Sequence, residues 1–132
     1  MATAASPART EKPARKIVLW ILCVLAACEF LVAGGMKLIS HPMEVDMFAK
    51  IGIGQWFRYF TGVIEVLCAI GLLIPRRSRG AALLLALVMI GALTLHLTKF
   101  RGTEYSSPWA ALITLIVVLA IARLRRTMTA RA

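Results

Sequence analysis

Four long apolar stretches, none holding more than two Lys, Arg, Asp or Glu residues, divide this chain and leave it few ways to fold in water. They run over residues 17–38, 56–74, 80–97 and 105–122. At a rise of 1.5 Å per residue, about 20 apolar residues cross the roughly 30 Å hydrocarbon core of a bilayer. The first three stretches meet that length. The fourth meets it only when Ser106, Ser107 and Pro108 are counted, with Pro108 in the first helical turn and Ser106 or Ser107 as its cap. The pattern predicts an all-α membrane protein, a four-transmembrane-helix bundle. Composition agrees: 60% of residues are hydrophobic and 17% charged, against about 45–50% and about 25% in soluble domains. An ordinary water-soluble enzyme is excluded.

The formal net charge of +10 would suit a nucleic-acid binder, but the basic residues sit at the ends of the apolar stretches. Eleven fall on one side: Arg9, Lys12, Arg15 and Lys16 before the first stretch, Arg76, Arg77 and Arg79 between the second and third, and Arg123, Arg125, Arg126 and Arg131 after the fourth. The other side has five, Lys37, Lys50, Arg58, Lys99 and Arg101, diluted by Glu44, Asp46 and Glu104. Basic loops stay in the cytoplasm, so the N-terminus and C-terminus are both expected to be cytoplasmic, with no nucleic acid as partner. Pro75 and the short turn after it make the second and third spans antiparallel neighbours.

The expected organisation is a disordered basic tail over 1–16, a membrane domain over 17–124 and a basic tail over 125–132. Leu25-Ala26-Ala27-Cys28 matches a lipoprotein cleavage box, but Phe30-Leu31-Val32-Ala33 continues the apolar run where a polar linker belongs, so the first span is read as retained. Between the first two spans, Met43, Met47, Phe48 and Ile51 recur at helical spacing after Pro42, with Glu44, Asp46 and Lys50 elsewhere on the wheel. A short amphipathic surface helix fits, as a cap on the bundle or as a lid over a cavity. The Gly52-Ile53-Gly54 segment breaks the chain before the second span and is no dinucleotide loop.

Ionisable groups within the spans are the informative positions, because each costs about 2.5–3.5 kcal/mol at a helix centre unless paired or neutral. Counted from the cytoplasmic end, Glu65 lies about 14 Å deep and Glu29 about 18 Å, with His96, Arg58 and Lys37 at about 24, 25 and 30 Å. Arg58 and Glu65, seven apart, share a helix face with Thr61, Gly62 and Cys68. The expectation is one internal polar site of Glu29, Lys37, Arg58, Glu65 and His96, built from the first three spans and opening outward. Three readings stay open. The charges fix helix packing, with the acids paired or protonated. Alternatively, they handle protons beside a bound redox lipid such as a quinone. In the third, they line the pathway of a small proton-coupled transporter, although no inverted repeat is evident.

Other signals are weaker. Haem ligation by His96 and His41 is disfavoured, since His41-Pro42 belongs outside the bundle. Three cysteines without a C-x-x-C pair exclude a disulfide scaffold and a zinc knuckle, and no metal site is expected. Cys23 and Cys28 lie about 140° apart around one helix and cannot join each other, and Cys68 reads as a small buried hydrophobe. Gly34, Gly35, Gly62 and Gly71 are read as close helix contacts, and Trp20, Trp56 and Trp109 as interfacial anchors.

These residues carry a family resemblance. Phe30-Leu31-Val32-Ala33-Gly34-Gly35-Met36-Lys37-Leu38 looks like the small-residue-then-Lys-Leu ending of the first span of the DoxX-like family. Phe60 to Pro75, with its central Glu65 and terminal Leu-x-Pro, resembles the second span, and Gly91-Ala92-Leu93-Thr94-Leu95-His96-Leu97 resembles the third. The likeness covers about Phe30 to Leu97, and Cys68 stands where Gly would be expected. It implies a four-helix protein of the bacterial cytoplasmic (inner) membrane, crossing it several times. The family takes its name from a subunit of a thiosulfate:quinone oxidoreductase, and some members join membrane complexes handling oxidative stress. Nothing in this chain supplies a sulfur-handling site, a metal cluster or a nucleotide loop, so no residue is assigned as catalytic and any redox chemistry must reside in a partner or a bound quinone. The expected role is a non-catalytic subunit or scaffold, with a membrane or soluble redox partner protein, or a second copy of the chain, as candidate partners.

Overall fold

The computed structural model describes residues 13–103 and 107–130, and all of its regular structure is helical. The described residues form five helices: α1 (Pro13–Leu38), α2 (Pro42–Ile51), α3 (Gln55–Leu73), α4 (Ser78–Thr98) and α5 (Trp109–Thr129). Three of them, α1, α3 and α4, are long and apolar enough to cross a membrane. In α5 the apolar run from Trp109 to Ala122 covers only about 21 Å, and Arg123, Arg125 and Arg126 follow within the same helix.

Each boundary has a local cause. Pro13 occupies the first position of α1, where its missing N–H costs nothing. Residues 13–16 were expected in the disordered tail; they instead form the first turn of α1, while 1–12 lie outside the described residues. At the other end, Ser40 adopts φ 59° and the His41 N–H bonds to Met36 O at 3.0 Å. That is the six-to-one hydrogen bond of a Schellman ending, made around a serine in place of the usual glycine. Pro42 opens α2, and Gly52, at φ 82°, closes it. Pro108, expected inside the first turn of the last helix, is instead its N-cap, whose carbonyl accepts from the Leu112 N–H. Tyr105 and Ser106 lie outside the described residues. Arg125 to Thr129, expected in a separate tail, continue α5.

The helices pack in sequence as an antiparallel set, and α1 returns against α3 and α5. The closest approach is α1 on α3. A Cβ on Gly34 would stand 2.8 Å from Gly62 O, and one on Gly62 would stand 3.0 Å from Lys37 Cβ, so neither position has room for a side chain. Gly71 meets Ala81 of α4 in the same way at 3.0 Å, whereas a Cβ on Gly35 would have nothing within 4 Å. Gly35 is therefore not a contact glycine. The main core contains Leu19, Cys23, Phe30, Leu72, Leu85 and Ile121, and a smaller cluster of Phe48, Ile51 and Phe100 sits at the α2 end.

The outer surface is apolar. Leu25, Val32, Leu67, Leu87 and Ile113 are each exposed by 60–65%. A belt of this kind around a bundle is the surface a lipid bilayer covers.

Candidate functional site

The polar site grows out of the Gly34–Gly62 contact. Because α1 and α3 touch through glycine there, Lys37, one turn further along α1, overhangs α3. Its ammonium reaches Oε2 of Glu65 at 3.1 Å. It also lies 3.8 Å from Oε2 of Glu44, supplied by α2. Glu65 and Arg58 are each 2% exposed, and Lys37 and Glu44 are nearly as buried. Two cations and two anions are thus buried at this end of the α1–α3 contact, and their formal charges cancel.

Arg58 does not pair with Glu65, although the two share a face of α3. Its Nη1 donates to the carbonyl oxygen of Lys37, its Nη2 to Ser40 Oγ at 3.0 Å, and its Nε to Gln55 Oε1 at 2.7 Å. The Lys37 carbonyl lies in the last turn of α1, where carbonyls lack helical partners and the helix dipole is negative, so a guanidinium is well placed there. Arg58 also lies 4.2 Å from the ring centre of Tyr59, whose hydroxyl bonds to Ser40 Oγ at 2.8 Å. The unusual backbone of Ser40 thereby presents one hydroxyl to two partners. Lys37 is held at both ends: Arg58 fixes its carbonyl, and the two carboxylates hold its ammonium.

Lys37 Nζ is within hydrogen-bond distance of Glu65 Oε2 but, at 3.8 Å, not of the buried Glu44 Oε2, which has no other donor among the described residues. Lys37 has three N–H donors to distribute between two acids, and the pair geometry leaves acceptor capacity on both.

Of the five residues expected to form one site, the structure brings together Lys37, Arg58 and Glu65. Glu29 is on another face of α1: it is exposed, and its Oε1 accepts from Thr114 Oγ1 of α5 at 2.6 Å. The ring of His96 lies 5.5 Å from that of Phe100, beside the small apolar cluster of Phe48 and Ile51. The element closing the site is α2, not the third apolar stretch, and it does so with a residue that the periodicity placed on the polar side. Glu44, Phe48 and Ile51 form the buried face of α2, while Met43 is exposed. The spacing of Glu44, Phe48 and Ile51 was readable as a face, but only the buried Lys37 makes an acid welcome on it. Ser40, Gln55 and Tyr59 had no signal, because their roles follow from the turn between α1 and α2.

No group of three or more His, Cys, Asp or Glu residues suited to a metal ion occurs among the described residues. Cys23 and Cys68 are buried free thiols, and Cys28 is an exposed one. Residues 21–122 match the model of the DoxX-like family. No curated protein and no solved structure matches the chain.

Proposed function

The chain belongs to the DoxX-like family, and on that premise we propose that it is a non-catalytic subunit of a membrane redox system of the oxidative-stress kind. The observation that carries this reading is the buried Lys37–Glu65–Glu44 cluster, in which one ammonium serves two carboxylates and stands beyond hydrogen-bond distance of Glu44. One cation facing two buried acids suits a place where a proton or a polar ligand is exchanged. The ligand class is a redox lipid such as a quinone, toward which Lys37 would offer a hydrogen-bond donor and Glu65 would hold or release a proton. Electrons would come from a partner protein.

The proposed setting is the bacterial cytoplasmic membrane, crossed four times. Supporting the fourth crossing, α5 exposes Ile113, Ile116 and Leu119, an apolar face like those of α1, α3 and α4. The start of α1, the α3–α4 turn and the end of α5 share one end of the bundle, and Arg15, Lys16, Arg76, Arg77, Arg79, Arg123, Arg125 and Arg126 lie there. Placing that end in the cytoplasm follows the basic-loop rule and puts the Lys37 cluster near the outer face.

The test is mass spectrometry of the organic extract from gently purified protein, wild type beside Glu65→Gln. A near-stoichiometric quinone in the wild type, missing from a folded Glu65→Gln variant, is expected. Phospholipid alone, equal in both, would overturn the redox-lipid reading. Substrate-dependent proton flux in liposomes would replace the subunit with a small transporter.

A further inference from the structure

The end of the bundle away from the Lys37 cluster carries a second polar feature. Between α1 and α5 lies an open cavity of about 360 Å³, lined by Arg15, Ala120, Arg123, Leu124 and Thr127. On α5 these residues fall at spacings of three and four, so they form one stripe facing the first turn of α1. Nη2 of Arg15 donates to Thr127 Oγ1, which ties the first turn of α1 to the last turns of α5 and fixes the guanidinium at the cavity wall.

We infer that this cavity binds the phosphate of an anionic phospholipid headgroup. Two guanidiniums at one wall supply planar forks of N–H donors that match phosphate oxygens, and Thr127 takes one of the five N–H donors of Arg15. The charge balance is one-sided. Eight Lys and Arg residues lie at this end, while the described acids, Glu29, Glu44, Asp46 and Glu65, lie at mid-helix or at the far end. The groove, about 360 Å³ and open on one side, has room for a headgroup phosphate. The remaining wall is apolar, formed by Ala120 and Leu124, and Val18, about 60° round α1 from Arg15, is 51% exposed beside it. Acyl chains leaving the cavity therefore run directly onto the surface that the bilayer covers. A free anion would gain nothing from that apolar side; a lipid gains from both. Basic pockets between membrane helices at the phosphate level recognise headgroups by this combination.

The full chain, purified in mild detergent and delipidated, is incubated with equimolar phosphatidylglycerol and phosphatidylcholine and examined by native mass spectrometry. Each guanidinium near an anionic headgroup contributes about fivefold in affinity, so the two together predict a preference for phosphatidylglycerol of about 25-fold. The Arg15→Gln/Arg123→Gln variant is expected to bring that preference near parity. Arg76→Gln/Arg79→Gln removes the same charge from the same end outside the cavity and is expected to leave it unchanged. Arg123 is exposed, so Arg123→Gln alone, with an expected loss of about fivefold, keeps the test intact if the double variant does not fold. Equal loss in the Arg76/Arg79 control would assign the preference to bulk charge and overturn the site. Displacement of the lipid by inorganic phosphate alone would overturn the lipid assignment, as would equal retention of the two lipids by the wild type.

Discussion

Adjacent glycines of α1 are predicted to respond to the same substitution with opposite sign. In Gly34→Ala the new methyl would stand 2.8 Å from Gly62 O, 2.9 Å from Val66 Cγ2 and 3.1 Å from Glu65 Cβ. Carbon contacts are comfortable at about 3.5–4.0 Å, so the helices must part by about half an ångström. The obstructing oxygen belongs to backbone inside a helix and cannot swing aside. Overpacking of this kind costs about 1–3 kcal/mol, and a rigid backbone contact belongs at the upper end. Alanine recovers about 1 kcal/mol of helix propensity, leaving a net loss of about 2 kcal/mol. In Gly35→Ala nothing lies within 4 Å of the new methyl, so only the gain of about 1 kcal/mol remains. Thermal unfolding in one detergent, at roughly 3 °C per kcal/mol for a chain of this size, should place the two variants about 9 °C apart on either side of wild type. Shifts of the same sign and size would refute the argument, because they would mean that α1 and α3 do not meet through Gly34. Gly62→Ala should fall between them, because its contacts, Lys37 Cβ at 3.0 Å and Gly34 O at 3.1 Å, are less severe than the 2.8 and 2.9 Å contacts at Gly34.

Three further outcomes are expected. Lys37→Met leaves Glu65 and Glu44 buried against each other without their cation, and should lower stability by about 3–5 kcal/mol; adding Glu65→Gln to Lys37→Met should recover most of that, and a lack of recovery in a two-variant cycle would remove the ion pair from the account. Arg125 buries Nε and Nη2 without an acceptor among the described residues, so Arg125→Met should raise the melting temperature by an amount matching about 1–3 kcal/mol, whereas a drop would show that those nitrogens are satisfied in the membrane. For orientation, in a background free of the native cysteines, a single cysteine in place of Arg77 should resist an impermeant maleimide applied to intact cells, and one in place of Lys50 should label; the reverse pattern would invert the bundle.

Much of the site was visible in the sequence because charge in an apolar span stands out against its surroundings. Lys37, Arg58 and Glu65 were identifiable for that reason alone, and the three converge. The same logic over-reached with Glu29 and His96. Depth along a helix fixes one coordinate, and the angle around the helix axis decides whether two groups at similar depth meet. Glu29 points to Thr114 of α5, and the ring of His96 packs beside that of Phe100. Glu44 was missed for the complementary reason. On a short surface helix an acid reads as solvated, and only its placement 3.8 Å from a buried ammonium gives it an inward role.

The sequence by itself determined the environment and the elements. Runs of about 20 apolar residues admit only helices in lipid, because every backbone N–H and C=O must be satisfied within the segment. Pro13, Gly54 and Pro108 then mark where three of those helices start, and Pro75 where one stops. The tertiary structure decided which faces meet. Gly34 meets its partner while Gly35 does not, Lys37 pairs with Glu65 while Arg58 turns to a carbonyl, and α2 closes the site in place of α4. Those choices depend on helix rotation and ångström-scale approach. Both are set by packing between segments far apart in the chain, so no local pattern of residues encodes them.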